Sequence, residues 1–410
     1  MTALDQGLPA GLKTRSRRIR LAKTIRLATA FILMAISGLI WTSFSLFLVA
    51  IEGEFHWSRA EISGAFSVFA LTSALTAPAF GYALGRWDSR RLLGAASLVL
   101  GLALCGTTLV ETPAAYWIVF GVIGGIGSHC TSSYAVFAVL AGRFRERPAT
   151  AMAMADAGSS FATFLGLPLI HWIIVDAGWR AAYLFLGCTA ALVGGALHLL
   201  VMDPVRRTPP SQQGSGPFSA KLPLALLLAL AAAYFCGSAV YQGLITQQIA
   251  LLDYYGVAES LAVWVVAAAG LLLFIWRLGS GYLCDLWGPG KVMTIAAIGI
   301  VTTFASIAIG ATFSAPAALL VFPLAVGIAF GGQQVLLAAT VRLMTHPTAF
   351  ASILGICRLA SGIGMAVGPL AAGYAYDSSG GYEIPLILFA TMSVGHIVAY
   401  MTAASFGRKS

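Results

Sequence analysis

The stretch from Leu271 to Lys291, LLLFIWRLGSGYLCDLWGPGK, is the end of an apolar helix that carries Arg277 about two turns ahead of a polar Gly-x-x-x-Asp turn. An ionised guanidinium at mid-membrane depth costs about 2.5 to 3.5 kcal/mol on insertion scales, so it needs a partner, by default an anion. Arg358 repeats the feature in a second apolar segment. At 1.5 Å of rise per residue, Arg277 lies roughly 12 Å from the turn at Asp285, and Arg358 roughly 16 Å beyond Pro347. Half of a hydrocarbon core is about 15 Å, so both groups reach similar depth near the midplane. Two fixed positive charges facing one cavity repel, and a bound carboxylate or dicarboxylate relieves that. Arginine suits the task because it stays charged and its planar fork matches a carboxylate with two hydrogen bonds.

Few other groups at that depth offer chemistry. Asp156 is the one acid well inside an apolar run. The plainer expectation for it is an ion pair with a loop arginine near the same face; the sharper one is a role in proton coupling. His129, beside Cys130 and a glycine-rich run, is a second candidate for proton coupling, since imidazole titrates near neutral pH. A lone membrane histidine bonded across helices is the commoner case. Trp41 and Tyr241, with Tyr134, Gln242, Gln333 and Gln334, lie within a few turns of mid-span and could wall a site for a small organic anion. Each is equally well explained as ordinary helix packing. His171, His198 and His396 have no partner visible in the sequence and read as packing residues.

The elements that must position these side chains follow from composition. The chain has 410 residues, 59% hydrophobic and 10% charged, where a soluble domain would be about one quarter charged. It is therefore expected to be a polytopic membrane protein. Apolar runs set off by charge, Gly and Pro give twelve helices, at 27–51, 60–86, 92–110, 115–142, 149–175, 181–201, 222–252, 260–284, 292–311, 317–341, 349–376 and 384–405. The first run is too long for the core of a signal peptide. The six cysteines stand singly, with no C-x-x-C and no histidine at metal spacing, so no disulfide framework and no metal or other cofactor is expected.

A net charge of +9 could suggest nucleic acid, but the position of the charge decides against it. Of the 24 Lys and Arg, all but Arg59, Arg180, Arg277 and Arg358 fall on one side if twelve helices alternate. The positive-inside rule then places both termini in the cytoplasm, in an inner or plasma membrane. The segment DPVRRTPPSQQGSGPFS has the composition of a flexible linker. It divides the chain into a basic N-terminus (1–26), a six-helix bundle (27–202), a linker (203–221), a second six-helix bundle (222–405) and a short tail (406–410). An internal repeat supports that division: GYALGRW at 81–87 returns as GYLCDLW at 281–287, and Pro168, Asp176 and Gly178-Trp179 return as Pro369, Asp377 and Gly381-Tyr382.

Two six-helix halves, a basic central loop and the pattern G-x-x-x-D-R-x-G-R-R, present as Gly81 to Arg91, resemble the major facilitator superfamily. Gly85 stands here where that pattern has Asp, and Asp88 where it has Gly, while the second copy keeps the acid as Asp285. Within the superfamily, FHWSRAEI at 55–62, Arg277 four residues before Gly281, and a cation in the eleventh helix resemble the monocarboxylate transporter and oxalate–formate antiporter group. The resemblance implies an all-α membrane fold of two pseudo-symmetric bundles. It implies gating roles for Gly81, Arg86, Arg90, Gly281 and Asp285, a carboxylate held by Arg277, and Arg358 near the antiporters' eleventh-helix lysine.

The expected function is secondary active transport of a small mono- or dicarboxylate by alternating access, driven by anion exchange or proton coupling. Against the proton-coupled carriers stand the absence of Lys or Arg between Arg26 and Arg59, and Leu273 where those carriers have an acid. Two membrane arginines favour exchange. Efflux of an amphipathic compound and a non-transporting anion sensor are the alternatives. No nucleophile–base pair, Walker loop or metal cluster is visible, so an enzyme is not expected; a monomer in the bilayer is expected to suffice. If both arginines were locked in internal salt bridges away from a central void, the assignment would reduce to a generic carrier.

Overall fold

The structure, a computed structural model, describes residues 10–131, 136, 148–201, 224–313, 315–333, 336–337, 340–341 and 347–407, with the side chains of 10–20, 148–153, 347–352 and a few scattered positions, Asp285 among them, outside that description. The expected linker at 203–221 and the candidates Tyr134 and Gln334 also lie outside it.

The described elements are helices: α1 (Ala10–Phe55), α2 (Arg59–Arg86), α3 (Ser89–Gly106) and α4 (Pro113–Thr131). A long helix follows that breaks at Gly178 (φ 84°) into α5 (148–177) and α6 (179–201). Then come α7 (Leu224–Tyr254), α8 (Glu259–Trp287), α9 (Pro289–Thr312), α10 (Ala317–Gly331), α11 (Pro347–Ser379) and α12 (Glu383–Gly407). Ten described helices are long and apolar enough to cross a membrane. One of the ten is the bent α5–α6 helix, which counts as two spans; the shorter α10 completes twelve. In a bilayer every backbone polar group must be satisfied within the protein, which is why apolar runs of this length fold as helices.

Local signals set the ends. Ser58 and Glu61 form a reciprocal capping box at the start of α2: the Glu61 N–H donates to Ser58 Oγ at 3.2 Å, and the Ser58 N–H to Glu61 Oε2 at 2.9 Å. Asp88 caps α3 through the Arg90 N–H at 2.9 Å. The α8–α9 turn is made at Gly288, whose φ of 79° only glycine adopts without strain. The expected loop between the fifth and sixth helices is reduced to the single break at Gly178, where a positive φ reverses the chain without intervening residues.

The two halves meet along α2–α11 and α5–α8, with α1 against α7. Arg86, Arg90 and Lys291 mark one end of the bundle, here the basic end. At the opposite, far end the halves are tied closely. Asp377, at the end of α11, accepts the free N–H groups of Arg59 (3.0 Å) and Ala60 (2.7 Å) at the start of α2. The Arg59 guanidinium bonds Glu52 at 2.9 Å and Tyr382, and lies 3.8 Å from the ring centre of Tyr376. Gln247 in α7 donates to Ser63 in α2 at 2.9 Å, and His171 of α5 faces Glu259 of α8 at 3.4 Å. Toward the basic end, a Cβ on Gly81, Gly279 or Gly355 would meet no atom of the described residues within 4 Å.

Candidate functional site

Arg277 projects from α8 across the boundary between the halves. Its Nη1 donates to Asp156 Oδ2 at 3.1 Å and to Ser159 Oγ at 2.6 Å, both on α5. Asp156 and Ser159 share a face of α5 because they are three residues apart. Tyr241 of α7 approaches the same guanidinium. The ion pair is partly open to its surroundings, with 24% of the Arg277 side chain and 35% of the Asp156 side chain exposed.

Next to this cluster, on the far-end side, is a small cavity of about 30 Å³, room for about two water molecules. Thr42 of α1 and Thr163 of α5 line it from the first half; Tyr241, Ile245 and Gln248 of α7, Leu273 of α8 and Val326 of α10 line it from the second. Tyr241 belongs to both the ion-pair cluster and the cavity wall, so the charged fork and the cavity form one site at the interface between the halves. Helical spacing builds that wall: Thr163 is four residues beyond Ser159, Gln248 seven beyond Tyr241, and Leu273 four before Arg277, each placing the pair on one helix face.

The remaining candidates fall elsewhere. Trp41 packs edge-on against Phe66 and Phe69, with ring centres at 5.2 and 5.4 Å, inside the first half. Gln242 and Gln333 are 2% and 4% exposed, and their Nε2 atoms have no hydrogen-bond partner among the described residues. Gln333 lies against Gly237 of α7, as does His396 of α12. His129 Nε2 is 2.8 Å from Thr76 Oγ1 and its ring stacks on Phe80, so it faces α2 within the first half. Arg358 is partly buried on α11, one turn before Gly362, where α11 crosses Ala74 of α2.

Of the gating candidates, Gly81 faces open space and Arg86 stacks over Tyr82 at 4.4 Å. The backbone of Arg90 engages the Asp88 cap. Gly281 and Asp285 lie on the last turns of α8.

Sequence reasoning misses Ser159, Thr42, Thr163 and Gln248. Spacing could have found Ser159, Thr163 and Gln248, which repeat at three, seven and seven residues from groups already singled out. The sequence expectation pairs Asp156 with a loop arginine, which lies outside the described residues; among the described residues Asp156 pairs with Arg277. His171, expected to be mere packing, faces a carboxylate across the interface. His198 and His396 each hydrogen-bond a backbone carbonyl, of Cys130 and Ala233, at 2.8 Å. Among the described residues no group of His, Cys, Asp and Glu could hold a metal ion.

Comparison with known proteins places the chain in a family. The uncharacterized MFS-type transporter YcxA of Bacillus subtilis (strain 168) is 25% identical over 171 residues, 42% of this chain and 41% of that protein. Monocarboxylate transporter 12 of Xenopus laevis is 28% identical over 148 residues, 35% of this chain and 31% of that protein. The chain thus matches less than half the length of either relative. Monocarboxylate transporter 11 of Mus musculus is similar over a longer stretch, 23% identical across 91% of this chain and 86% of its own. Among solved structures, a mutant of the nucleoside transporter NupG superposes with a TM-score of 0.77 at 14% identity, over 94% of this chain and 99% of that one. A bacterial homolog of the human lysosomal transporter Spinster, inward-facing and occupied, gives 0.67 at 15% identity, over 93% and 95%. A likeness at such identity is one of fold. The family model of the Major Facilitator Superfamily matches residues 30–356, and the chain is a member of that superfamily.

Proposed function

We propose that the protein is a secondary active transporter of a small mono- or dicarboxylate, working by alternating access of the 27–202 and 222–405 bundles about the Arg277 site. The observation that carries this reading is the Arg277–Asp156–Ser159 cluster. A guanidinium held at the interface between the halves, already engaging a carboxylate oxygen and flanked by a hydroxyl and a tyrosine, has the donor set that a substrate carboxylate requires. The relatives named monocarboxylate transporters support the same substrate class.

The internal carboxylate also supports a mode of coupling. When a substrate anion takes Arg277, Asp156 loses its partner and leaves an uncompensated negative charge beside a second one. A proton on Asp156 restores the balance, which makes substrate and proton travel together. The excess of Lys and Arg at the basic end supports the reading that both termini are cytoplasmic, in an inner or plasma membrane, and a site built from the two halves of one chain supports the reading that a monomer suffices.

Uptake into proteoliposomes tests this, with a panel of mono- and dicarboxylates and with an imposed pH gradient and a preloaded anion as separate driving forces. Gradient-driven uptake abolished by Arg277→Gln is the expected result. Uptake driven only by preloaded anion would assign exchange instead, and no uptake or counterflow of any carboxylate would reject the substrate class.

A further inference from the structure

Gln248 is 2% exposed and lines the cavity beside Tyr241, and its Nε2 has no hydrogen-bond partner among the described residues. A buried amide donor without a partner is costly and is commonly completed by a ligand or water. Facing it across the same cavity are two hydroxyls of the first half, 3.4 Å from each other. Thr42 Oγ1 donates to the Gly38 carbonyl at 2.8 Å, and Thr163 Oγ1 to the Ser159 carbonyl at 3.2 Å or to Thr42 Oγ1 at 3.4 Å. Both hydrogens have acceptors outside the cavity or between the two threonines, and what the pair can offer the cavity is lone pairs. One side therefore supplies an N–H donor and the other supplies acceptors. A hydroxyl group, which donates once and accepts, satisfies both; an oxo group or a carboxylate oxygen only accepts.

Position fixes where that hydroxyl must sit. Gln248 is seven residues beyond Tyr241 on α7, about 10 Å further from the Arg277 fork along the helix axis. The wall between them is apolar, built of Ile245, Val266, Ala269, Leu273 and Val326. We propose that Gln248, with Thr42 and Thr163, forms a second subsite that recognises a hydroxyl at the opposite end of a short carbon chain from the carboxylate held by Arg277. The subsite rests on the carboxylate reading above and adds to it a substrate class, the short-chain carboxylate with a remote hydroxyl. Because Thr42 and Thr163 belong to the first half and Gln248 to the second, such a ligand also bridges the two halves.

Butyrate, 2-hydroxybutyrate and 4-hydroxybutyrate share one carbon skeleton and differ in whether and where the hydroxyl stands. Titration calorimetry of the purified full chain in nanodiscs is expected to give about tenfold tighter binding of 4-hydroxybutyrate than of the other two. Gln248→Leu is expected to erase that ratio, and Thr163→Val, which removes the acceptor from the opposite half at constant size, is expected to do the same. Equal affinity for all three ligands in the wild type would overturn the subsite while leaving the carboxylate reading intact, as would a ratio retained in both variants. Failure of the wild type to bind any of the three would reject the carboxylate reading itself.

Discussion

Asp156 and Arg277 stand 121 residues apart in the chain, on opposite halves of the fold, and 3.1 Å apart in space. The contact joins α5 to α8 on the basic-end side of the cavity. It is therefore a tie between the halves and, at the same time, a carboxylate occupying the fork that a substrate carboxylate would need. Both roles follow from the same atoms. Anything that removes Asp156 from Arg277 both vacates the fork and loosens the halves.

If substrate replaces Asp156 on Arg277, the internal carboxylate is a competitor. Asp156→Asn is then expected to bind carboxylate about fivefold more tightly, since a partly exposed ion pair contributes about 1 kcal/mol. Arg277→Gln is expected to lose binding while the protein remains folded in the membrane, and Arg277→Lys to bind weakly, because a point charge cannot reproduce the two-pronged geometry. Calorimetry on the three variants measures this. Weaker binding by Asp156→Asn would make Asp156 a residue that orients Arg277 rather than one that competes for it.

The two candidates for proton coupling separate by location. His129 engages Thr76 and Phe80 inside the first half, while Asp156 reaches across to the second. His129→Gln keeps a hydrogen-bonding group near Thr76 and is expected to leave uptake driven by a pH gradient within about twofold of wild type, on the scale of one small hydrogen-bond change. Asp156→Asn is expected to abolish the gradient dependence and retain counterflow of preloaded substrate. The opposite assignment follows if the gradient effect disappears in His129→Gln alone.

Arg277 and Asp156 were legible one at a time, because an ionisable residue in an apolar run stands out against the cost of placing it there. Their pairing was not, since it depends on which face of α5 meets which face of α8. Helices that are apolar all round carry no stripe to reveal that face. The same reason explains why depth alone proposed Trp41 and Gln333 together with Tyr241, although Trp41 packs on Phe66 and Phe69, Gln333 lies beside Gly237, and only Tyr241 of the three reaches the cavity. The repeat of Asp176 as Asp377 was visible in the sequence. That Asp377 caps the first turn of α2 was not, because the cap crosses from one half to the other.

That cap is the basis of a prediction about opening at the far end. Asp377 satisfies two N–H groups of α2 that have no partner within the helix, and removing such a cap costs about 1 kcal/mol. The cost falls only on the conformation in which α2 and α11 touch. Asp377→Ala is therefore expected to shift the population toward opening at that end by about fivefold. A cysteine placed at Ser63, just inside the latch, should be alkylated correspondingly faster by a membrane-impermeant reagent, with Asp377→Asn intermediate. An unchanged rate would mean that the Arg59 contacts to Glu52, Tyr376 and Tyr382 hold this end without the cap.

Glycines separate the fixed contacts from the moving ones. A Cβ on Gly158 would collide with the Phe31 carbonyl, and one on Gly38 with the Ser159 backbone, both across the α1–α5 contact inside the first half. A Cβ on Gly368 would collide with the Ala239 carbonyl across α7–α11 inside the second. These contacts allow backbones to approach closely and have no flexible side chain to yield. Gly158→Ala and Gly368→Ala are expected to destabilise the protein by about 1 to 3 kcal/mol, as overpacking does, read as a lowered midpoint of thermal unfolding in detergent. Gly81 and Gly355 face no atom of the described residues within 4 Å in this conformation, so Gly81→Ala and Gly355→Ala are expected to leave that midpoint unchanged. If the halves alternate as proposed, α2 and α11 come together at the basic end in the other conformation, where a methyl group at either position has to be accommodated. The two alanine variants should then transport more slowly while unfolding at the wild-type temperature. A lowered midpoint with normal transport would place Gly81 and Gly355 among the static packing contacts instead.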